Sequence, residues 1–155
     1  MKIIFLDVDG VLNNIHTITR TASGCCFVEK ECLKMVRHIV LKTGAKVVLS
    51  SDWRYDRDDP KYNQDFLELK DIMEKYNIPI FDYTPIINWE LRGIEIAAWL
   101  GLHPEVDSFV ILDDRNDMSP YKEQFIKTNF DTGLTDELTE KAIRILNESH
   151  LIRKE

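Results

Sequence analysis

Residues 2–10 read KIIFLDVDG, an apolar run rich in branched side chains that ends at Leu6 and opens at once into Asp7-Val8-Asp9-Gly10. A continuous apolar run of this length reads as a strand buried on both faces, the form that strands take in a parallel sheet. The pattern recurs further along the chain. Lys46–Leu49 (KVVL) ends in Ser50-Ser51, and Ser108–Leu112 (SFVIL) runs directly into Asp113-Asp114. Two shorter stretches, 78–81 (IPIF) and 125–128 (FIKT), read as further strands. Between them apolar residues return at helical spacing over 27–42, 66–76, 90–100 and 135–147, with Gly44 as a C-cap and Thr135 as an N-cap. Strands alternating with helices predict an α/β fold: a three-layer sandwich with a Rossmann-like parallel sheet and helices on both faces. In such sheets ligands bind beyond the carboxyl ends of the strands, where the polar residues after Leu6, Leu49 and Leu112 converge.

The composition supports one globular domain over 1–155. Hydrophobic residues make up 44% and charged residues 30%, which is ordinary usage for a folded chain. A chain of this length buries roughly 70% of its unfolded surface and needs no covalent or metal staple. The formal net charge of −7 argues against a broad nucleic-acid-binding face, though not against a local basic pocket for one phosphate. The N-terminal apolar run is too short for a signal segment or a membrane span, so the expected location is the cytoplasm, with no membrane partner. Cys25, Cys26 and Cys32 are odd in number and match no zinc spacing, and read as reduced thiols of an intracellular chain. A catalytic cysteine would need a histidine partner, and His16 and His38 stand in no recognisable arrangement with one.

Bringing Asp7, Asp9, Asp113 and Asp114 to one edge gathers like charges, and a cation is the usual reason to do so. Oxygen-only ligands suit a hard ion, and Mg²⁺ fits two carboxylates, a carbonyl and waters. Asp7 is then placed to attack phosphorus, and Asp9 to protonate the leaving oxygen and later activate water. Gly10 permits a tight turn that brings backbone N–H groups toward a phosphate. Competing readings are weaker. The EF-hand pattern fails for lack of its glycine and terminal glutamate, and a metal-dependent glycosyltransferase would fit Asp-x-Asp but needs a longer chain. An Asp-Asp pair after a strand also serves simply to cap a helix.

Taken together, FLDVDGVL, VVLSSDWR and FVILDD resemble the haloacid-dehalogenase-like (HAD) superfamily, over about residues 1–135. The details SSDWR, RGIEIAAWL, ILDDRNDM and FIKTNFDTGLT are most similar to the small HAD domain of Swiss-army-knife RNA repair proteins. The resemblance implies a phosphatase with Asp7 as nucleophile and Asp9 as general acid/base. It implies Mg²⁺ held by the Asp7 carboxylate, the Asp9 carbonyl and Asp114, with Asp113 as a second acidic member. Asp117 sits at an offset that departs from the longer family pattern. Ser50, with Ser51 as the near alternative, would bind the phosphoryl group. The neutralising cation would be Arg92 at the start of its helix, with Arg54 as competitor. Among the tryptophans, Trp53 beside Ser51 is the candidate for substrate contact; Trp89 is a further candidate, and Trp99 falls in an apolar helical pattern.

The inserts at 13–26 and 54–64 are too short for a cap domain, so little covers the site. An open site admits bulky substrates, and the resemblance points to phosphorylated nucleic-acid ends. The acidic balance favours nucleotides or other small phosphate esters instead. A non-catalytic binding module is a third class, disfavoured by the intact Asp7, Asp9 and Asp114. Oligomeric state is not encoded in any pattern here.

Overall fold

The computed structural model describes residues 1–87 and 91–152. Trp89 and the first residue of the stretch read as helix from 90 lie outside the described residues. Five strands, β1 (Lys2–Leu6), β2 (Lys46–Leu49), β3 (Ile80–Tyr83), β4 (Ser108–Asp113) and β5 (Phe125–Lys127), form one all-parallel sheet in the order β3-β2-β1-β4-β5. Four helices accompany it: α1 (Lys30–Thr43), α2 (Gln64–Lys75), α3 (Arg92–Gly101) and α4 (Asp136–Ile152). This is the Rossmann-like three-layer α/β fold.

Alternation along the central strand builds two cores. Ile4 and Leu6 of β1 face the side covered by Leu33 and Val36 of α1, Leu69 and Met73 of α2, and Ala142 and Leu146 of α4. Ile3 and Phe5 face the other side, where Ile96 and Trp99 of α3 pack with Val48 and Ile111. Trp99 is thus a core residue, set edge-on to Phe5. Each fully buried large apolar side chain of this set contributes about 1.5–3 kcal/mol of burial. The layers are unequal: three helices cover one face, and α3 is the helix that covers the second.

The elements depart from the sequence reading at their ends. Helix α1 starts at Lys30, not 27, because residues 27–29 are used as extended chain: Phe27 N–H donates to Thr19, and Glu29 N–H to Leu12. Strand β3 starts at Ile80, two residues late, since Pro79 has no N–H to give a ladder. Asp113 is the last residue of β4, paired with Lys127, not the first of a loop. Gly44 is the left-handed C-cap of α1, and Thr135 Oγ1 accepts from Leu138 N–H at the start of α4. Neither insert adds a layer among the described residues: 13–29 holds one isolated bridge, Arg20 with Cys26, and 52–54 forms a single 3-10 turn. The three cysteines are free, and burial pushes the Cys32 thiol up to about 11.

One buried ion pair ties the loops at the sheet's carboxyl edge to α3. Arg54 is fully buried, and its Nη2 lies 2.6 Å from Glu95 Oε1. The guanidinium also donates to the carbonyls of Ser51 and Thr84, at 2.6 and 3.0 Å, while Glu95 Oε2 accepts from Ile87 N–H. Removing one partner strands the other charge away from water. Glu95→Ala is therefore expected to lower stability by about 3–5 kcal/mol in urea unfolding, and a loss below about 1 kcal/mol would remove this pair from the account of the fold.

Candidate active site

The hydrogen-bond ladder continues one residue beyond β1, β2, β3 and β5. Asp7 N–H donates to Leu112, Ser50 N–H to Leu6, Thr84 N–H to Leu49 and Thr128 N–H to Asp113. The sheet itself therefore fixes the backbone of Asp7 and Ser50. Past Asp7 the chain turns at Gly10, with φ +83° and a Cβ position that would lie 2.2 Å from Asp114 Oδ2. Only glycine lets the Asp114 carboxylate pack so closely there. Thr128 Oγ1 closes the turn by donating to the Gly10 carbonyl at 2.6 Å.

Asp7, Asp113 and Asp114 each offer a carboxylate oxygen, and these lie within 4.8 Å of one another. Asp7 and Asp113 are buried, Asp114 less so. Arg92 stands against this cluster at the N-terminus of α3. Its Nη1 is 2.9 Å from Asp7 Oδ2 and 2.7 Å from Asp113 Oδ2, and its Nη2 is 3.1 Å from Asp52 Oδ1. Asp117 accepts from the Arg92 backbone N–H, holding the helix end in place. Gly93 allows that approach, since a Cβ there would meet the Asp117 carbonyl at 2.8 Å.

Burial pushes the Asp7 carboxyl well above the usual carboxylate range, and the Asp113 charge adds to this, with Arg92 opposing both. Burial likewise raises Asp113 against the pull of Arg92. One guanidinium shared by two buried carboxylates, with a third beside them, leaves negative charge unbalanced. An all-oxygen cluster in that condition fits a hard divalent cation. The acidic cluster could hold a metal ion through these residues.

Asp9 is exposed, and donors hold both of its oxygens: Trp53 Nε1 at 3.1 Å and Asn13 Nδ2 at 2.9 Å. Asn13 is fully buried; its Oδ1 accepts from Gly10 N–H, so one side chain sets both the turn and the carboxylate. Ser50 Oγ is buried with no hydrogen-bond partner in the protein, as is Arg92 Nε. Ser51 Oγ instead accepts from Trp53 N–H. Arg54 points away from this cluster into its pair with Glu95. So the structure brings together Asp7, Asp113, Asp114 and Arg92, sets Trp53 on Asp9, and gives Arg54 to the fold.

Four contributors were not singled out from the sequence: Asn13, Asp52, Glu95 and Thr128. For Glu95 a signal existed, because it stands three residues after Arg92 and four before Trp99, on the buried face of α3. The others act across long sequence gaps and carry no local pattern. A cavity of about 580 Å³ opens beside Asp9, Asp52 and Trp53. The 13–26 segment forms one wall of it, with Ala22 N–H and Ser23 Oγ bonded to Glu68 and Asp65 of α2. Among the described residues no helix is long and apolar enough to cross a membrane.

No curated protein matches the chain. The family described as the HAD domain in Swiss Army Knife RNA repair proteins matches residues 3–139, which is most of the sequence. With that span reaching all five strands and holding the whole acidic edge, the chain belongs to this family of HAD domains, and membership implies phosphatase-type hydrolase activity.

Proposed function

We propose that residues 1–155 act as one Mg²⁺-dependent phosphomonoester hydrolase working through an aspartyl-phosphate. The observation that carries this reading is the pairing of a buried Asp7 on Arg92 with an exposed Asp9 two residues later, held by Trp53 and Asn13. Two carboxylates so close in sequence meet different surroundings and therefore suit different roles.

Asp7 attacks phosphorus, forming the acyl phosphate as the ester P–O bond breaks, and Asp9 delivers a proton to the departing alkoxide. Asp9 then takes a proton from water as that water attacks the same phosphorus, releasing inorganic phosphate and freeing Asp7. The Asp9 oxygens each accept one bond and keep further lone pairs for this traffic. Ser50 Oγ, buried and unpartnered, is suited to donate to a phosphoryl oxygen, which would explain an otherwise costly orphan group. Arg92 counters the charge on Asp7 and on the phosphoryl group. Asp7, Asp114 and the Asp9 carbonyl would hold Mg²⁺, with Asp113 beside them; when bound, the ion screens the repulsion between carboxylate and phosphate. The family's link to RNA repair supports a phosphorylated nucleic-acid end as substrate, whereas the acidic surroundings of the site favour a small ester. Three unpaired thiols are in keeping with a cytoplasmic setting.

Phosphate release from an aryl phosphate in Mg²⁺ tests the mechanism. Asp7→Asn is expected to cost at least about a thousandfold in kcat, and Asp9→Asn about a hundredfold or more, both with unchanged circular dichroism. Retention of most activity by Asp7→Asn would sink the covalent route. Asp114→Asn should raise the Mg²⁺ concentration needed for half-maximal rate, read from a metal titration; an unchanged curve would take Asp114 out of the metal site. Arg92→Met should lose activity even in the protein that stays folded, with its Tm lowered because Asp7 and Asp113 lose their counter-charge, while Arg54→Met should show as a lowered Tm with activity kept below it. The opposite division would exchange their roles.

A further inference from the structure

The cavity beside Asp9 has an unusual lining for a nucleic-acid site. Trp53, Tyr62, Phe66 and Phe130 supply flat apolar surface. Asp9, Asp52, Asp56 and Asp65 supply the charge, and no Lys, Arg or His lines it among the described residues. Asp52 is balanced by Arg92 and, at 3.5 Å, by Arg115. Asp56 and Asp65 have no cationic partner among the described residues. Asp65 accepts the Ser23 hydroxyl at 2.7 Å; burial pushes its carboxyl up, but hydrogen bonds from Ser23, Thr21 and Cys25 together outweigh this and hold it below the usual range. The wall beyond the reacting phosphate is therefore aromatic and negative.

The cavity shares Asp9 and Trp53 with the site, so what enters it is the leaving group. A polynucleotide end would bring its next phosphodiester toward Asp56 and Asp65, where no counter-charge awaits it. Proteins that take polynucleotides line that path with Lys and Arg. A flat ring with N–H or O–H groups meets the aromatic faces by stacking and the carboxylates by donating hydrogen bonds.

Resting on the hydrolase reading above, we infer that the substrate is a phosphomonoester of a ring-bearing alcohol with no further phosphate, a nucleoside-sized monophosphate and not a phosphorylated nucleic-acid end. A second phosphate near the two unbalanced carboxylates is expected to lower kcat/KM by at least about tenfold. Salt then acts with an inverted sign. Screening relieves the repulsion, so turnover of multiply phosphorylated substrates rises with ionic strength, whereas a polynucleotide binder loses affinity as salt is added.

The test compares kcat/KM in Mg²⁺ for an aryl phosphate, a nucleoside monophosphate, its bisphosphate and a phosphorylated oligonucleotide, at low and raised salt. The monophosphate should lead the bisphosphate and the oligonucleotide by at least about tenfold at low salt, and the gap should narrow as salt rises. It should also narrow in the Asp56→Asn/Asp65→Asn double variant. An oligonucleotide used as well as the monophosphate, with activity falling in salt, would overturn the inference and leave the hydrolase reading standing. Absence of release from every substrate, the aryl phosphate included, would fell the hydrolase reading alone. Calorimetric titration of the Asp7→Asn protein with the same nucleoside monophosphate and oligonucleotide then decides the pocket: tighter binding of the monophosphate supports it, and tighter binding of the oligonucleotide overturns it.

Discussion

The guanidinium of Arg92 is the charge on which the acidic edge depends. Asp7 and Asp113 project from neighbouring strands of a parallel sheet, and the ladder between β1 and β4 leaves them no freedom to separate. Two carboxylates fixed this way in a buried setting repel strongly. Arg92 answers both through a single nitrogen, and the second nitrogen of the fork reaches out to Asp52. Burial disfavours its cation, yet Asp7 and Asp113 outweigh that and hold it firmly protonated. A lysine could not span three carboxylates with one rigid, planar head. The position of α3, and with it Asp117 and Gly93, follows from the need to bring this head to the sheet.

A second arginine does different work with the same chemistry. Arg54 lies beneath the loop after β2, takes the carbonyls of Ser51 and Thr84, and meets Glu95 from α3. Its bonds join the loops after β2 and β3 to the helix that carries Arg92. Glu95, one helical turn from Arg92, thus lets α3 be anchored to the edge by one charge while presenting another to it. The cluster around Asp7 and the frame that supports it are linked through a single helix.

How far the sequence reveals this depends on the range of each interaction. The strand ends are legible because an apolar run that stops at an aspartate or a serine is a local pattern, so Asp7, Ser50 and Asp113 could be assigned to one edge from the residues alone. Both Arg54 and Arg92 lie near that edge in the chain, and sequence leaves both open as partners for it. Packing separates them, since one guanidinium faces Asp7 and the other Glu95. Asn13 falls in a polar stretch that reads as a flap, yet it is fully buried and clamps Asp9 to Gly10. Nothing local marks it, because its partners are defined only once the turn has closed. Strand β3 and the start of α1 shift for a similar reason: Pro79 and the loop bonds of Phe27 and Glu29 override apolar periodicity.

The unequal layering has its own consequence. Three helices share the cover of one core, but α3 is the one helix, among the described residues, over Ile3, Phe5, Val48 and Ile111 on the other, where Met118 and Tyr121 of the β4–β5 connection complete the cover. The helix that protects this face is the one that brings Arg92 to the acidic edge. Any local opening of α3 thus uncovers the second core and removes the counter-charge of Asp7 and Asp113 in one event. Opening of this helix and loss of the counter-charge that holds the acidic edge together are therefore the same motion.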